Sequence, residues 1–269
     1  MTHPAEHDFL VPILERKARE NARRARHQHA GARAAQLVHS NARAELAYRA
    51  LQRAPSDPLR IIAEIKRASP SAGSIRPYVR GDIAWLAQEY VRGGAAAVSV
   101  LCDRAGFSGS ALDVRRAAQT IAAPLLFKEF VLDPVQVQLA QRVGAHMVLL
   151  LVRALPHPRL QTMCDAVLAA GLAPVVEAAS AAEVERALRT PARIIGVNAR
   201  DLRTFRVDPR GAHEALRMIP RDRIAVHMSG VRTAADYREI AQGRADAVLV
   251  GESLMRAEQP SVKLAELQA

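Results

Sequence analysis

Aromatic residues are scarce: one Trp, four Tyr and five Phe make 4% of the 269 residues. That is too few for a platform on which bases of single-stranded nucleic acid would stack. Cysteine is scarcer still, with only Cys102 and Cys164. Two thiols cannot staple a chain of this length, and their rarity points to a reducing compartment. No apolar run approaches the ~18–20 residues that a membrane helix needs. The first ten residues, MTHPAEHDFL, lack a basic segment followed by an apolar stretch, so no secretory signal is read there. Nor is there a low-complexity bias, since 14 Gly and 15 Pro are ordinary for a chain with 49% hydrophobic and 24% charged residues. These absences leave a cytoplasmic globular protein without a membrane partner, built as one large domain or two small ones.

What is plentiful is arginine. Lys and Arg number 38 against 27 Asp and Glu, a formal charge of +11. Residues 1–53 hold 10 basic and 5 acidic side chains, so only 5 of the 11 excess charges sit there. The remainder is spread thinly, which reads as a solvated arginine-rich surface and predicts no nucleic-acid partner. Only four of the cations are lysine: Lys17, Lys66, Lys128 and Lys263. A lysine retained in such a background marks a place where arginine fails, such as one that must lose a proton near neutral pH.

Residues 9–53 read as helices, with Phe9, Leu10, Ile13 and Leu14 at helical spacing, until APSDP (54–58) breaks the pattern. Apolar strand-like runs then recur at 61–65, 96–101, 124–130, 146–152, 173–178, 193–198, 224–229 and 246–251. Amphipathic helical stretches such as 82–94, 133–144 and 180–190 separate them, several opening on Ser or Asp and closing on Gly. Near-continuous apolar strands alternating with helices imply a parallel sheet covered by helices. Eight such units predict an α/β fold, a (β/α)8 TIM barrel with an N-terminal helical extension: extension 1–58 packed on the barrel, catalytic barrel 59–269. A doubly wound open sheet is the alternative, and the lack of a G-x-G-x-x-G after the first strand speaks against it.

Chemistry in such a barrel sits where strands end. There the sequence places Glu64 and Lys66, Lys128, Glu177 and Asn198, with Arg200 just beyond. Side chains repeat with period two along a strand, so Glu64 and Lys66 share one side. Lysines and carboxylates converging on one mouth suit proton transfer on an anionic substrate. The competing reading is a ring of buried ion pairs capping the core. Ser229-Gly230 and Gly251-Glu252 close the last two strands, where barrels commonly cradle phosphate with backbone N–H groups. They would otherwise be ordinary turns.

One motif goes further. Glu64 to Gly73 reads E-I-K-x-x-S-P-S-x-G, and it resembles the first-strand signature of the indole-3-glycerol phosphate synthase family of tryptophan biosynthesis. The resemblance continues through SVLCDRAGFSGS (99–110), FKEFVLDPVQVQLAQRVGAHMVLLLV (127–152), VVEAASAAEVERAL (175–188), IIGVNARDLRTFRVD (194–208), SGV (229–231) and VLVGESLM (248–255). It implies a carboxy-lyase that converts 1-(2-carboxyphenylamino)-1-deoxyribulose 5-phosphate into indole-3-glycerol phosphate, with no metal or organic cofactor. It implies Lys128 as general acid, Lys66 as holder of the substrate carboxylate, and Glu177 and Glu64 in proton transfers. Asn198 would hold the ribulose hydroxyls and Glu64, and Phe107 and Leu149 would line the ring slot. Ser69, Arg200, Ser229, Gly230, Gly251 and Glu252 would bound the substrate tail. The partner is thus a phosphorylated small molecule, and the chain is expected to be a monomer or weak homodimer.

The sequence departs from the family pattern at Met228, where Glu is usual, at Glu129 for Asp, at Phe127 for Arg and at Cys102 for Thr. Losing a carboxylate at 228 is expected to let Lys66 and Lys128 deprotonate more readily. An inactive or substrate-shifted paralogue is one alternative. Another is a related barrel such as phosphoribosylanthranilate isomerase, whose first strand ends in a catalytic Cys where this chain has Glu64 and Lys66. A third is a basic RNA-binding helix within residues 9–53.

Overall fold

A computed structural model describes residues 9–29, 40–77, 79, 81–201 and 207–269. Residues 1–8, the 30–39 part of the expected helical extension, and 202–206 of the IIGVNARDLRTFRVD segment lie outside the described residues. Eight strands form a closed, all-parallel barrel: β1 (Arg60–Ile65), β2 (Ala97–Leu101), β3 (Leu125–Lys128), β4 (Met147–Leu151), β5 (Ala173–Ala178), β6 (Ile194–Asn198), β7 (Ile224–Met228) and β8 (Ala247–Val250). Each pairs with its sequence neighbours, and the ring closes where Arg60 of β1 registers with Ala247 of β8. The right-handed strand–helix alternation leaves no open sheet edge to pair with another chain.

Alternation along the strands creates two apolar cores. Outward residues such as Ile61, Val98, Leu125, Val148 and Val176 pack against the surrounding helices. Inward residues such as Ile62, Leu126, Met147, Val175, Val226 and Met228 fill the barrel. The interior is therefore a packed core and not a pore. The helices begin where capping residues stand. Asp133 opens Pro134–Arg142 and Thr233 opens Ala234–Ala241, each in a reciprocal capping box.

The N-terminal segment supplies α1 (Leu10–His29) and α2 (Ala42–Leu51). In α1, Leu10, Ile13, Leu14, Lys17 and Asn21 fall on one stripe at helical spacing, and Pro12 is tolerated in the first turn. The two helices serve opposite ends of the barrel. Ala44, Ala47, Tyr48 and Leu51 of α2 join the interior cluster with Ala97, Met147, Ala173, Ile194, Ile224 and Ala247, which start the strands. Leu10, Ile13 and Leu14 of α1 join it with Phe107, Phe130 and Leu151, which lie beyond or at strand ends.

Some local features escaped sequence reading. The strand expected over 124–130 ends at Lys128, because Glu129 turns its carboxylate back to accept the Phe130 N–H at 2.8 Å. A hairpin pairs Ala68–Ser69 with Gly73–Ser74 inside the first-strand motif. The helix expected over 82–94 is present as α3 (Asp82–Arg92), whereas the next helix, α4, is a single turn, Arg104–Phe107, too short to show periodicity.

Candidate active site

The five candidate catalytic residues meet at the C-terminal mouth of the barrel. Glu64 is the penultimate residue of β1, and Lys66 follows the strand with its Nζ 3.3 Å from Glu64 Oε1. Lys128 ends β3, with Nζ 3.1 Å from Glu177 Oε2 on β5 and 4.0 Å from Glu64 Oε2. Asn198 ends β6 and donates from Nδ2 to Glu177 Oε1 at 2.8 Å, while its Oδ1 accepts the Arg200 N–H at 3.0 Å. Ser99 of β2 donates to Glu64 Oε2 at 3.3 Å. The groups thus form an arc in which ammonium and carboxylate alternate, with two formal charges of each sign.

One expected contact is different. Asn198 grips Glu177 and not Glu64, because β5 and β6 are adjacent while β1 lies across the barrel. Glu177 is thereby held from two sides, by an amide and by an ammonium. Burial acts to push the Lys128 ammonium pKa down, but Glu177 and Glu64 outweigh it and hold Lys128 above the ordinary lysine value. With Met at position 228, Lys128 thus still has two carboxylates that favour its charged form. Met228 is fully buried, its Sδ 3.9 Å from Lys128 Nζ. Its side chain lies over Gly196, where an added Cβ would come within 2.3 Å of the Met228 methyl.

Beside the arc, the cavity is lined by Ser69, Leu101, Phe107, Phe130, Leu149 and Leu151, together with Arg200, Ser229 and Glu252. The apolar side chains make a slot in which the rings of Phe107 and Phe130 pack on each other, tilted by 39° with 6.3 Å between centroids. Phe130 was missed in the sequence reading; its spacing of two from Lys128 was the available signal.

A second chamber adjoins the first, sharing Glu64, Lys66, Arg200, Ser229 and Glu252 with it, and adds Gly230, Arg232, Gly251, Ser253 and Arg256. Ser229 and Gly230 are both left-handed, at φ 69° and 89°. For Ser229 this is a strained conformation, of the kind that persists where the surroundings enforce it. Ser253 Oγ is buried without a hydrogen-bond partner. The Glu252 carboxylate is turned to Arg256, which it meets at 3.0 Å. Arg232 and Ser253 are absent from the residues expected to bind the substrate, although Ser253 directly follows Glu252 at the end of the last strand.

Gly251 borders Glu64 as well as this chamber. A Cβ there would lie 2.9 Å from Glu64 Oε1, so the glycine makes room for that carboxylate.

The fold and site together define a barrel enzyme that acts on a small phosphorylated molecule. Residues 11–267 match the family model described as indole-3-glycerol phosphate synthase. The chain belongs to the indole-3-glycerol phosphate synthase family. It is 42% identical over 215 residues to the indole-3-glycerol phosphate synthase of Leifsonia xyli, covering 80% of this chain and 82% of the relative. The enzyme of that name from Opitutus terrae is 42% identical over 222 residues, covering 81% and 83%. Among solved structures, thiamine phosphate pyrophosphorylase from Pyrococcus furiosus superposes with a TM-score of 0.57 at 17% identity, over 78% of this chain and 93% of that one. The tryptophan synthase alpha chain from Legionella pneumophila gives 0.57 at 13% identity, over 78% and 90%. At such identities these two likenesses concern the barrel fold alone.

Proposed function

We propose that the Lys128–Glu177–Asn198–Glu64–Lys66 arc carries out the reaction for which the family is named. The chain is an indole-3-glycerol phosphate synthase, a carboxy-lyase of tryptophan biosynthesis. The observation that carries the assignment of roles is the placement of Lys128 Nζ between Glu177 and Glu64 at the mouth of an apolar slot. In 1-(2-carboxyphenylamino)-1-deoxyribulose 5-phosphate, the ring carbon bearing the carboxylate attacks the ribulose carbonyl carbon. Lys128, held in its protonated form, gives its proton to the carbonyl oxygen as that bond forms. Carbon dioxide then leaves with the electron pair returning to the ring. The new hydroxyl departs as water after a second protonation, and a carboxylate, Glu177 or Glu64, takes up the proton released from the ring system. Every step is redox-neutral, so ammonium and carboxylate groups suffice.

The remaining residues bind. Lys66 receives the substrate carboxylate beside the slot formed by Phe107, Leu149 and Phe130, with Ser69 at its edge. The phosphate enters the second chamber, where Ser229, Gly230, Gly251 and Glu252 offer backbone, and Arg200 and Arg232 line the wall. The orphaned Ser253 Oγ there is a donor in need of an acceptor. No described helix is long and apolar enough to cross a membrane, which is compatible with a cytoplasmic enzyme. The test is direct: pure protein is mixed with the carboxyphenylamino-ribulose phosphate and indole fluorescence is followed. Appearance of product supports the reading, and no product overturns it.

A further inference from the structure

A buried lysine that the reaction does not use lies just outside the site. Lys17 of α1 is among the largest fully buried side chains, at 2% exposure. Its Nζ lies 2.9 Å from Glu129 Oε2, 2.9 Å from Asp103 Oδ1 and 3.0 Å from Glu20 Oε2. An ammonium has three donors, and here three oxygens take them all. Each of the two barrel carboxylates then uses its other oxygen on a backbone N–H. Asp103 Oδ2 accepts from Gly106 at 2.7 Å and so caps α4, whose last residue is Phe107. Glu129 Oε1 accepts from Phe130 at 2.8 Å. Phe107 and Phe130 are the two rings of the slot, and Glu129 directly follows Lys128.

We infer that Lys17 is a positioning residue: a single ammonium from α1 fixes both aromatic walls of the slot and the strand end that carries Lys128. The inference rests on the function proposed above for that slot. Arginine would serve poorly, because three acceptors converge on one nitrogen in a sealed space, whereas a guanidinium spreads its donors over a plane. Lysine is thus retained here for compactness and not for proton loss. Burial pushes the Lys17 ammonium down, yet Glu129 and Asp103 outweigh it and keep it charged. The other titratable groups facing this cluster are Arg16, whose Nη2 donates to Asp103 Oδ1 at 2.7 Å, Glu20, and the buried Cys102 thiol, which burial and then Glu129 keep protonated.

The experiment compares Lys17→Met, Lys17→Arg and Leu51→Val in the full chain, with melting temperature, kcat and KM measured side by side. Leu51 is buried in α2 at the opposite end of the barrel and serves as the stability control. Lys17→Met is expected to lower kcat about tenfold or more and to raise KM, at temperatures where circular dichroism shows it folded. Its acid limb in kcat/KM should move to higher pH, since Asp103 and Glu129 lose their shared cation. Lys17→Arg should recover stability more than kcat, and Leu51→Val should lose only stability. As a readout independent of turnover, the protein is labelled with fluorophenylalanine, and Phe107 and Phe130 are assigned by substitution to Leu. Shifted or broadened signals of both rings in Lys17→Met support the inference. A Lys17→Met protein that behaves as Leu51→Val, with unchanged ring signals, overturns it. A wild type without turnover would sink the assigned reaction alone, because the ring signals still decide the role of Lys17.

Discussion

Lys128 and Lys17 occupy matching electrostatic settings: each ammonium lies near two buried carboxylates, and in each the carboxylates outweigh burial and raise the pKa. They differ in what remains unfilled. Lys17, with 2% of its side chain exposed, has an oxygen for every donor within 3.0 Å. Lys128, at 13%, has one carboxylate at 3.1 Å, a second at 4.0 Å and a thioether at 3.9 Å, and it borders the cavity. Two consecutive residues, Lys128 and Glu129, thus serve the two clusters. Burial and charge do not separate the proposed acid from the proposed positioning residue here; spare donor capacity does.

The sharpest way to break the comparison is to fill Lys128 with a charge that cannot leave. Lys128→Arg should lose at least ~10²-fold in kcat while circular dichroism remains native, since arginine keeps the charge but not the proton-donating ability near pH 7. More than about a tenth of wild-type kcat would remove Lys128 from the acid role.

Glu177→Gln comes next. It keeps the shape and removes the nearest counter-charge, so kcat should fall strongly with KM nearly unchanged. Glu177 is the foremost group raising the Lys128 pKa, ahead of Glu64. Its loss lowers that pKa, and because Lys128 acts protonated, the alkaline limb of the rate profile should move to lower pH. A normal kcat with only a raised KM would place Glu177 in binding.

Met228→Glu makes a smaller change in the opposite direction. A third carboxylate at the position of the thioether would stabilise the charged amine, so the alkaline limb should move upward. The pH profiles of kcat/KM for wild type and variant decide the matter, and coinciding limbs would remove any electrostatic role for position 228.

The least effect on activity belongs to His227, which shows burial with no counter-charge at all. Burial, with His213 as a second and like-charged influence, lowers its pKa to about 4. Between roughly pH 6.5 and 4 the unfolded chain binds a proton that the folded chain does not, so stability is lost as pH falls through that window. The loss is about 3 kcal/mol for this one group, and His227→Gln should flatten the fall of Tm with pH. A Tm that falls as steeply in the variant would assign the acid sensitivity elsewhere.

The barrel could be read from the chain because its strands are short-range signals: an apolar run, a cap and a glycine each reside within a few residues. Glu64, Lys128, Glu177 and Asn198 were legible for the same reason, as polar residues at the ends of such runs. Lys17 was not. It falls on the stripe of Leu10, Ile13 and Leu14, but a lysine there gives no sign of what would pair it, and the partners that bury it lie far along the sequence, 112 residues away for Glu129. Asn198 was singled out for the right place and the wrong neighbour, since which strand faces which across a closed barrel is not a local property. The capped turn of α4, four residues long, has no period to detect.

The reach of α1 also sets a timetable for synthesis. This helix leaves the ribosome well ahead of its anchors Asp103 and Glu129. At roughly 5–20 residues per second, the 112 residues to Glu129 take on the order of 6–22 s to emerge. Throughout that interval Leu10, Ile13 and Leu14 have no barrel to cover them, and the surface of the mouth forms only as β2 and β3 arrive. A helix translated ahead of its anchors is thereby among the elements that dock late, and its apolar stripe stays uncovered until they arrive. A circularly permuted chain that delivered α1 last would present it to a finished docking surface.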